Sequence, residues 1–233
     1  MPGNTLTRII SPYHSGLRDH RIGNGPRSIQ SLGLLPPSKN RAYKSARNRP
    51  ELRDRSRRIS SAVTEAMDNN TFLLNLAGNC MSSAAMACGR KAQALSFIYF
   101  DAHDDLDLPD VNENEYFDAM GLSMLRGVSY DGRFIYCGLR DQLGVQRQPR
   151  KVNFAAYLKT HLEKRSYWPA LVHLDLDVLD ETYGKVNVYL SPGRLMEEDI
   201  LACMDLVPRF SEPRSLIVCS FDPDAGVGIY VCV

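Results

Sequence analysis

The sequence predicts an α/β sandwich in which helices cover both faces of a mostly parallel sheet. Six short apolar runs are continuous rather than alternating in polarity, as is typical of strands that are buried on both faces. Helical patterns separate most of these runs, and strands that alternate with helices pair in parallel. The runs are residues 7–10, 71–77, 94–100, 133–139, 170–179 and 215–221.

The clearest helical pattern begins at Pro50, a residue that is favoured in the first turn of a helix. Its apolar positions recur on one face as far as Met67, and the polar residues 68–70 mark its end. Further helices are predicted near residues 82–90, 117–126, 151–164 and 195–206. A chain of 233 residues with this pattern is expected to form one domain, spanning 1–233, around one core.

The composition argues against several classes of function. The formal net charge is +1, so overall electrostatics favour neither a nucleic acid nor a membrane surface as partner. No apolar run reaches the ~18 residues that a membrane span needs, and the N-terminus lacks the pattern of a signal peptide. The 6 cysteines form no CxxC pair and lie mostly in or beside apolar runs. Reduced thiols and a cytoplasmic location are therefore expected.

Segment 36–58 is polar and strongly basic. We interpret it mainly as a solvated loop and helix face, with a surface that binds polyanions as the alternative. Tyr43 is its single aromatic residue, so the segment lacks the interleaved aromatics that favour a nucleic-acid site.

Two acidic stretches follow predicted strands, which is where sites form in open α/β sheets. They are DAHDD at 101–105 and HLDLDVLD at 173–180. Side chains alternate along a strand, so residues two apart are expected to share one face of each strand exit. The residues expected to meet in this way are Asp101 and His103 from the first stretch, and His173, Asp175 and Asp177 from the second. The two acidic clusters also contain Asp104, Asp105 and Asp180.

So many buried carboxylates would be very unfavourable without cations. Two divalent metals bridged by carboxylates remove the penalty, and mixed oxygen and imidazole ligands suit Mn²⁺. Such a pair can generate hydroxide at neutral pH and polarise a substrate. The alternative interpretation is that these are loop carboxylates that cap the following helices.

The two stretches resemble the signature aspartate motifs of the ureohydrolase family, which includes arginase, agmatinase and formimidoylglutamase. The usual forms are D-A-H-x-D and S-x-D-x-D-x-x-D-P. The resemblance extends over most of the chain, through residues 22–35, 75–83, 117–127 and 220–226. It implies the three-layer α/β/α arginase-like fold, in agreement with the strand and helix pattern.

The resemblance also implies a role for each acidic residue. Asp101 and Asp175 would bridge two Mn²⁺ ions, Asp105 would complete one metal site, and His103 with Asp177 would complete the other. A metal-bridging hydroxide would then attack the central carbon of a guanidine or amidine, releasing urea or hydroxyurea and an amine. Asp105 is the expected proton carrier.

Cys80 stands where the family has its first histidine ligand. The resemblance makes it a metal ligand, and a thiolate suits Mn²⁺ less well than imidazole does, so one of the two ions is expected to bind weakly. A family branch that hydrolyses N-hydroxy-L-arginine is similar in carrying cysteine here, which makes a hydroxyguanidine the leading substrate. The alternative is that Cys80 is an inert buried thiol.

Three other positions depart from the family pattern. His173 replaces a serine and is either a donor to a ligating carboxylate or a satisfied core histidine. Asp118 stands where arginases have a histidine that passes protons to the leaving amine, which makes it a candidate catalytic residue and argues against plain arginase activity. Ser220 replaces a glutamate that faces the guanidinium in arginase, which favours a less basic substrate.

The family's last strand is usually followed by a further helix, and only DPDAGVGIYVCV, whose last 5 residues are apolar, follows residue 221 here. The domain is therefore expected to lack that helix or to pack its tail as a strand. By resemblance alone, a homo-oligomer, trimer or hexamer, is expected. The alternative function is a catalytically impaired ureohydrolase-like protein that serves as a binding or regulatory subunit.

Overall fold

Seven parallel strands form the central sheet of the protein. The structure, a computed structural model, describes residues 3–35, 39–42, 52–88, 96–107, 117–123, 134–139, 153–189 and 195–225. Two further short strands pair with each other in an antiparallel hairpin. In chain order the strands are β1 (Gly3–Ser11), β2 (Tyr13–His14), β3 (Leu17–Arg18), β4 (Lys39–Ala42), β5 (Thr71–Ala77), β6 (Ser96–Phe100), β7 (Phe134–Cys137), β8 (Tyr167–Asp175) and β9 (Ser211–Cys219).

The strand order of the sheet is β4-β1-β5-β9-β8-β6-β7, and every pairing between these strands is parallel. Strands β5, β9, β8 and β6 are therefore consecutive in the middle of the sheet although they are widely separated in the sequence. Because the strands are parallel, their carboxyl ends share one edge, where the predicted acidic residues emerge.

Helices cover both faces of the sheet. They are α1 (Gly25–Ser31), α2 (Leu52–Asp68), α3 (Met81–Ala87), α4 (Phe154–Lys164) and α5 (Glu197–Phe210). Helices α2 and α3 pack on one face and α4 and α5 on the other, where α1 also packs. This arrangement confirms the predicted α/β/α sandwich.

The core follows the alternation of side chains along the strands. Ile9, Leu73 and Ile217 face α2 and α3, whereas Ile98 and Val172 face α4 and α5. Both faces of β5 and β6 are almost entirely buried, which explains why these strands read as continuous apolar runs. Full burial of each such side chain stabilises the folded state by about 1.5–3 kcal/mol. The sheet therefore holds the residues at its edge in fixed positions.

Several predicted boundaries were wrong. The strand predicted at 170–179 ends at Asp175, and a 3₁₀ helix, Leu176–Val178, follows it. The strand predicted at 215–221 is Ser211–Cys219. Within the predicted helix 117–126, the described residues form a 3₁₀ helix, Phe117–Met120, and a turn. A strand ends where its backbone hydrogen bonds to the neighbouring strands end. The local sequence pattern does not show where this pairing stops, so it misplaces the end of the strand.

Some predictions fall outside the described residues. They concern residues 36–38 and 43–51 of the basic segment, a range that includes Pro50, and the tail at 226–233. Within the part of the chain that is described, no helix has the length and apolar character required to cross a membrane.

Candidate metal centre and active site

The candidate site lies at the carboxyl edge of the four central strands. Asp101 follows β6 directly, Asp175 is the last residue of β8, and Cys219 is the last residue of β9. Cys80 stands between β5 and α3. Parallel pairing brings all four exits to one place, because neighbouring strands in a sheet lie only about 4.8 Å apart.

Donor atoms from these exits form three overlapping groups, each with its atoms within 4.8 Å of one another. The structure thus brings together all six predicted metal-ligand residues and His173. The groups are Cys80, His173, Asp175 and Cys219; Cys80, Asp101 and Asp105; and Asp101, His103 and Asp177.

A local turn brings together the two residues of each pair in the acidic stretches. The Asp101 Oδ1 atom accepts a hydrogen bond from the backbone N–H of His103 at 2.8 Å. The Asp175 Oδ1 atom accepts one from the N–H of Asp177 at 2.9 Å. Both are turns in which an aspartate bonds the backbone two residues on. The second residue of each pair is thus turned back toward the first, which corrects the expectation that strand alternation aligns them.

His103 links the two stretches. Its Nδ1 lies 3.5 Å from Asp101 Oδ1 and 3.4 Å from Asp177 Oδ2. Burial alone would lower the pKa of His103, but its hydrogen bonds to these two aspartates raise it to about 12. Burial alone would raise the pKa of Asp101, but its hydrogen bonds with His103 and His173 outweigh burial and lower this pKa. The His103 side chain is 28% exposed, whereas Asp101 is almost fully buried, so this part of the site opens toward solvent.

Asp105 has a strained backbone conformation. Its φ is 53°, in the left-handed region that a residue other than glycine seldom adopts. The Tyr99 hydroxyl donates to Asp105 Oδ2 at 2.9 Å. Burial, and then the charge of Asp101, raise the pKa of Asp105 well above its usual value. A buried carboxyl with a raised pKa is suited to carrying a proton.

Asp175 is surrounded by hydrogen-bond donors at the end of β8. Its Oδ2 atom accepts from Cys80 Sγ at 2.9 Å and from the Ser220 hydroxyl at a closer distance. Ser220 also has a positive φ, of 66°. Burial, and then the charge of Asp177, raise the pKa of Asp175 well above its usual value. Ser220 thus bonds a predicted metal ligand.

His173 is fully buried and touches the site from the side of β8. Its Nε2 lies 3.4 Å from Asp101 Oδ2, and its Nδ1 lies 2.6 Å from Ser83 Oγ. The ring stacks on Tyr99, with centroids 3.7 Å apart and planes 3° apart. These contacts place His173 against a predicted ligand, as the donor interpretation requires.

Sequence reasoning missed three residues of the site: Cys219, Ser83 and Tyr99. Cys219 was visible in the sequence as the residue before Ser220, but a thiol that ends an apolar run usually indicates a core position. Ser83 and Tyr99 gave no signal, because their contacts depend on how α3 and β6 pack. Asp118 belongs to the 3₁₀ helix Phe117–Met120, and its side chain lies outside the described atoms.

The residues present fit a divalent cation. Four buried aspartates, Asp101, Asp105, Asp175 and Asp177, meet with one partly open imidazole. Burial, and then the charge of a neighbouring aspartate, raise the pKa of both Asp105 and Asp175, and a cation beside them would favour their ionised forms. Oxygen and imidazole donors at this spacing are those that Mn²⁺ and related ions prefer.

Comparison with known proteins agrees with this geometry. The sequence profile of the Arginase family matches residues 28–191, about 70% of the chain. The search of curated protein sequences found no match.

Solved structures share the fold at low sequence identity. Arginase from Bacillus subtilis is 15% identical, with a TM-score of 0.77 over 94% of this chain and 91% of that one. A putative agmatinase from Clostridium difficile is 13% identical, with a TM-score of 0.76 over 94% and 88%. Proclavaminate amidino hydrolase from Streptomyces clavuligerus is 17% identical, with a TM-score of 0.73 over 98% and 87%.

Proposed function

Because the chain belongs to the arginase family, whose members hydrolyse guanidino and amidino compounds, we propose that it is a metal-dependent hydrolase of a linear C–N bond in a modified guanidine. The products would be an amine and urea or hydroxyurea. One observation carries the proposal: Asp101, His103 and Asp177 from two separate stretches meet at one partly open point of the sheet edge.

Two Mn²⁺ ions per chain are the proposed cofactors. The donors for one are Asp101, His103 and Asp177, and the donors for the other include Asp105, Asp175 and Cys80. Divalent ions at such a site supply a nucleophile from water at neutral pH and polarise the substrate. The second position contains a thiol, so its affinity for Mn²⁺ is the lower of the two.

The side chains of the protein would bind and orient the substrate and would move protons. The exposed flank of His103 is the approach for the substrate, because the other donors are buried. Asp105, held by the Tyr99 hydroxyl, would take the proton of the attacking water and return one to the leaving amine. Asp118 is the second candidate for that return, from its place in the neighbouring 3₁₀ helix.

The substrate is proposed to be less basic than arginine. Ser220 is engaged with Asp175, and its neutral hydroxyl does not provide the carboxylate that would pair with a full guanidinium charge. N-hydroxy-L-arginine fits this description. Structures with this fold bear the names arginase, agmatinase and proclavaminate amidino hydrolase, so the fold does not select among amidino substrates. We further propose a cytoplasmic homo-oligomer, trimer or hexamer.

The test is turnover by purified protein reconstituted with Mn²⁺. Release of urea, hydroxyurea or amine is measured with arginine, N-hydroxy-L-arginine, agmatine and formimidoylglutamate. We expect the hydroxyguanidine to have the highest kcat/KM of the panel. Binding of fewer than one metal per chain together with no turnover on any substrate would contradict the proposal. That result would favour the impaired binding subunit, against which the intact carboxylate set argues.

A further inference from the structure

Four side chains from three neighbouring strand exits converge on a point beside the carboxylate cluster. Cys80 comes from the β5 exit, His173 and Asp175 from β8, and Cys219 from the end of β9. All four are buried, and one donor atom from each lies within 4.8 Å of the others. The thiols come from positions 139 residues apart in the chain.

The distances between these atoms approach those of a tetrahedral metal site. With metal–sulfur bonds of about 2.3 Å and metal–nitrogen or metal–oxygen bonds of about 2.0–2.1 Å, adjacent ligand atoms stand about 3.5–3.8 Å apart. Cys219 Sγ lies 3.5 Å from Asp175 Oδ2 and 3.7 Å from His173 Nε2. The two sulfurs are 4.0 Å apart. The Cys80–Asp175 contact, at 2.9 Å, is shorter and would widen around an ion.

The imidazole is oriented as in a metal site. Ser83 Oγ lies 2.6 Å from His173 Nδ1, and stacking on Tyr99 fixes the ring plane. When Nδ1–H donates to this hydroxyl, Nε2 presents its lone pair to the cluster. Ligating histidines almost always have such a partner for the other ring nitrogen. His173, from β8, thus offers an imidazole nitrogen to the donor group that contains Cys80 from the β5 exit.

We propose that Cys80, His173, Asp175 and Cys219 form a thiolate site that takes Zn²⁺. Two sulfurs, one nitrogen and one oxygen form a tetrahedral donor set of the kind that Zn²⁺ occupies and that suits Mn²⁺ poorly. Each thiol releases its proton to solvent as the ion binds, so the two thiolates together balance the charge of Zn²⁺ and the Asp175 carboxylate adds one negative charge. The ion also places a positive charge next to Asp175, which otherwise lies buried beside Asp177.

The inference rests on the proposed function for the shared sheet edge and deepens it, because it assigns Zn²⁺ rather than a second Mn²⁺ to the position that contains Cys80 and Asp175. Asp101, His103 and Asp177 remain for an oxygen-preferring ion beside the open flank. The zinc site has four protein ligands and no open position. It would fix the β5, β8 and β9 exits rather than bind substrate.

Co²⁺ is the probe, because thiolate-bound Co²⁺ gives a charge-transfer absorption whose intensity reports the number of sulfurs. The full chain, reduced and stripped of metal, is titrated with Co²⁺ and then with Zn²⁺. We expect a two-thiolate band that one equivalent of Zn²⁺ per chain removes. Mn²⁺ in about 100-fold excess over Zn²⁺ should not displace the zinc from the site.

Single-thiol variants give the matched comparison. Cys219→Ser and Cys80→His should each reduce the band to about half, and Cys203→Ser should leave it unchanged. Cys203 is an equally buried thiol in α5, within the core cluster on the other face of the sheet. If Cys219→Ser does not fold, as judged by circular dichroism, Cys80→His decides the question.

The outcomes separate this inference from the proposed function. Co²⁺ binding without a charge-transfer band, or a full band in either single-thiol variant, would overturn the thiolate site. Turnover of the guanidine panel, measured on the same preparations, tests the enzyme independently. A band without turnover would refute the proposed activity and leave the zinc site standing, and turnover without a band would do the reverse.

Discussion

The two parts of the sheet edge differ in both chemistry and exposure. The carboxylate–imidazole part, Asp101, His103 and Asp177, includes a side chain that is 28% exposed. The thiolate part, Cys80, His173, Asp175 and Cys219, is buried throughout. The two sulfur donors are thus enclosed, whereas the outer group includes His103, which faces the opening. The difference suggests a division between an inner position that holds the strands together and an outer position that meets substrate.

The largest expected effect comes from Asp177→Ala on the outer part. Loss of a ligand should lower kcat/KM by more than about 100-fold, since even indirect partners of a metal change activity or affinity 10–100-fold. The Co²⁺–thiolate band should stay intact, because Asp177 does not belong to that donor group. Asp205→Asn, on an exposed stretch of α5, is the control. Full activity of the Asp177 variant would refute the site assignment.

Ser83→Ala addresses the inner part. The change removes the hydroxyl that lies 2.6 Å from His173 Nδ1, so the imidazole loses the contact that fixes its ring. We expect the affinity for Zn²⁺ to fall about 10-fold or more, at the lower end of the range for such partners. Competition with a chromophoric chelator measures it. Ser31→Ala, on an exposed serine of α1, should have no effect, and an unchanged affinity in Ser83→Ala would argue against His173 as a ligand.

Tyr99→Phe lies between the two parts, because the Tyr99 ring stacks on His173 and its hydroxyl bonds Asp105. The variant keeps the stacking and loses the hydrogen bond, which leaves a buried carboxyl with one donor fewer. We expect the free energy of unfolding to fall by about 1–3 kcal/mol. The measurement is chemical denaturation.

The same variant separates the two roles of the ring. The pH dependence of kcat should shift if Asp105 moves the proton, whereas a purely structural contact would change stability alone. Tyr136→Phe, which removes a hydroxyl that bonds the Asp104 carbonyl at 2.8 Å, is the comparison. An unaltered pH profile in Tyr99→Phe would remove Asp105 from the proton transfer.

The smallest effect on chemistry is expected from Gly25→Ala, which acts through the backbone. A Cβ at Gly25 would overlap the carbonyl oxygen of Phe221, the neighbour of Ser220. Relief of the overlap should cost about 1–3 kcal/mol in unfolding free energy and displace Ser220 slightly from Asp175. Thermal denaturation gives the first quantity, and KM the second. A variant as stable as the parent would show that this segment adapts freely.

The residues of the acidic stretches were predictable, but the reason given for their alignment was not correct. Strand alternation was expected to align Asp175 with Asp177, and β8 ends at Asp175. The turn formed by the Asp177 N–H and the Asp175 carboxylate produces the juxtaposition instead. A spacing of two residues fits both explanations, so the sequence identified the right side chains without distinguishing the two geometries.

The sequence by itself determined the class of fold, the two acidic stretches and their position after buried strands. These follow from short-range periodicity and from the rule that sites form at the carboxyl edge. Tertiary structure alone decided that β5, β9, β8 and β6 are neighbours, and hence that Cys219 meets Cys80 and His173. Strand order depends on how helices and strands pack over long separations, and no local pattern records it. The thiolate part of the site therefore became visible only when the sheet was assembled.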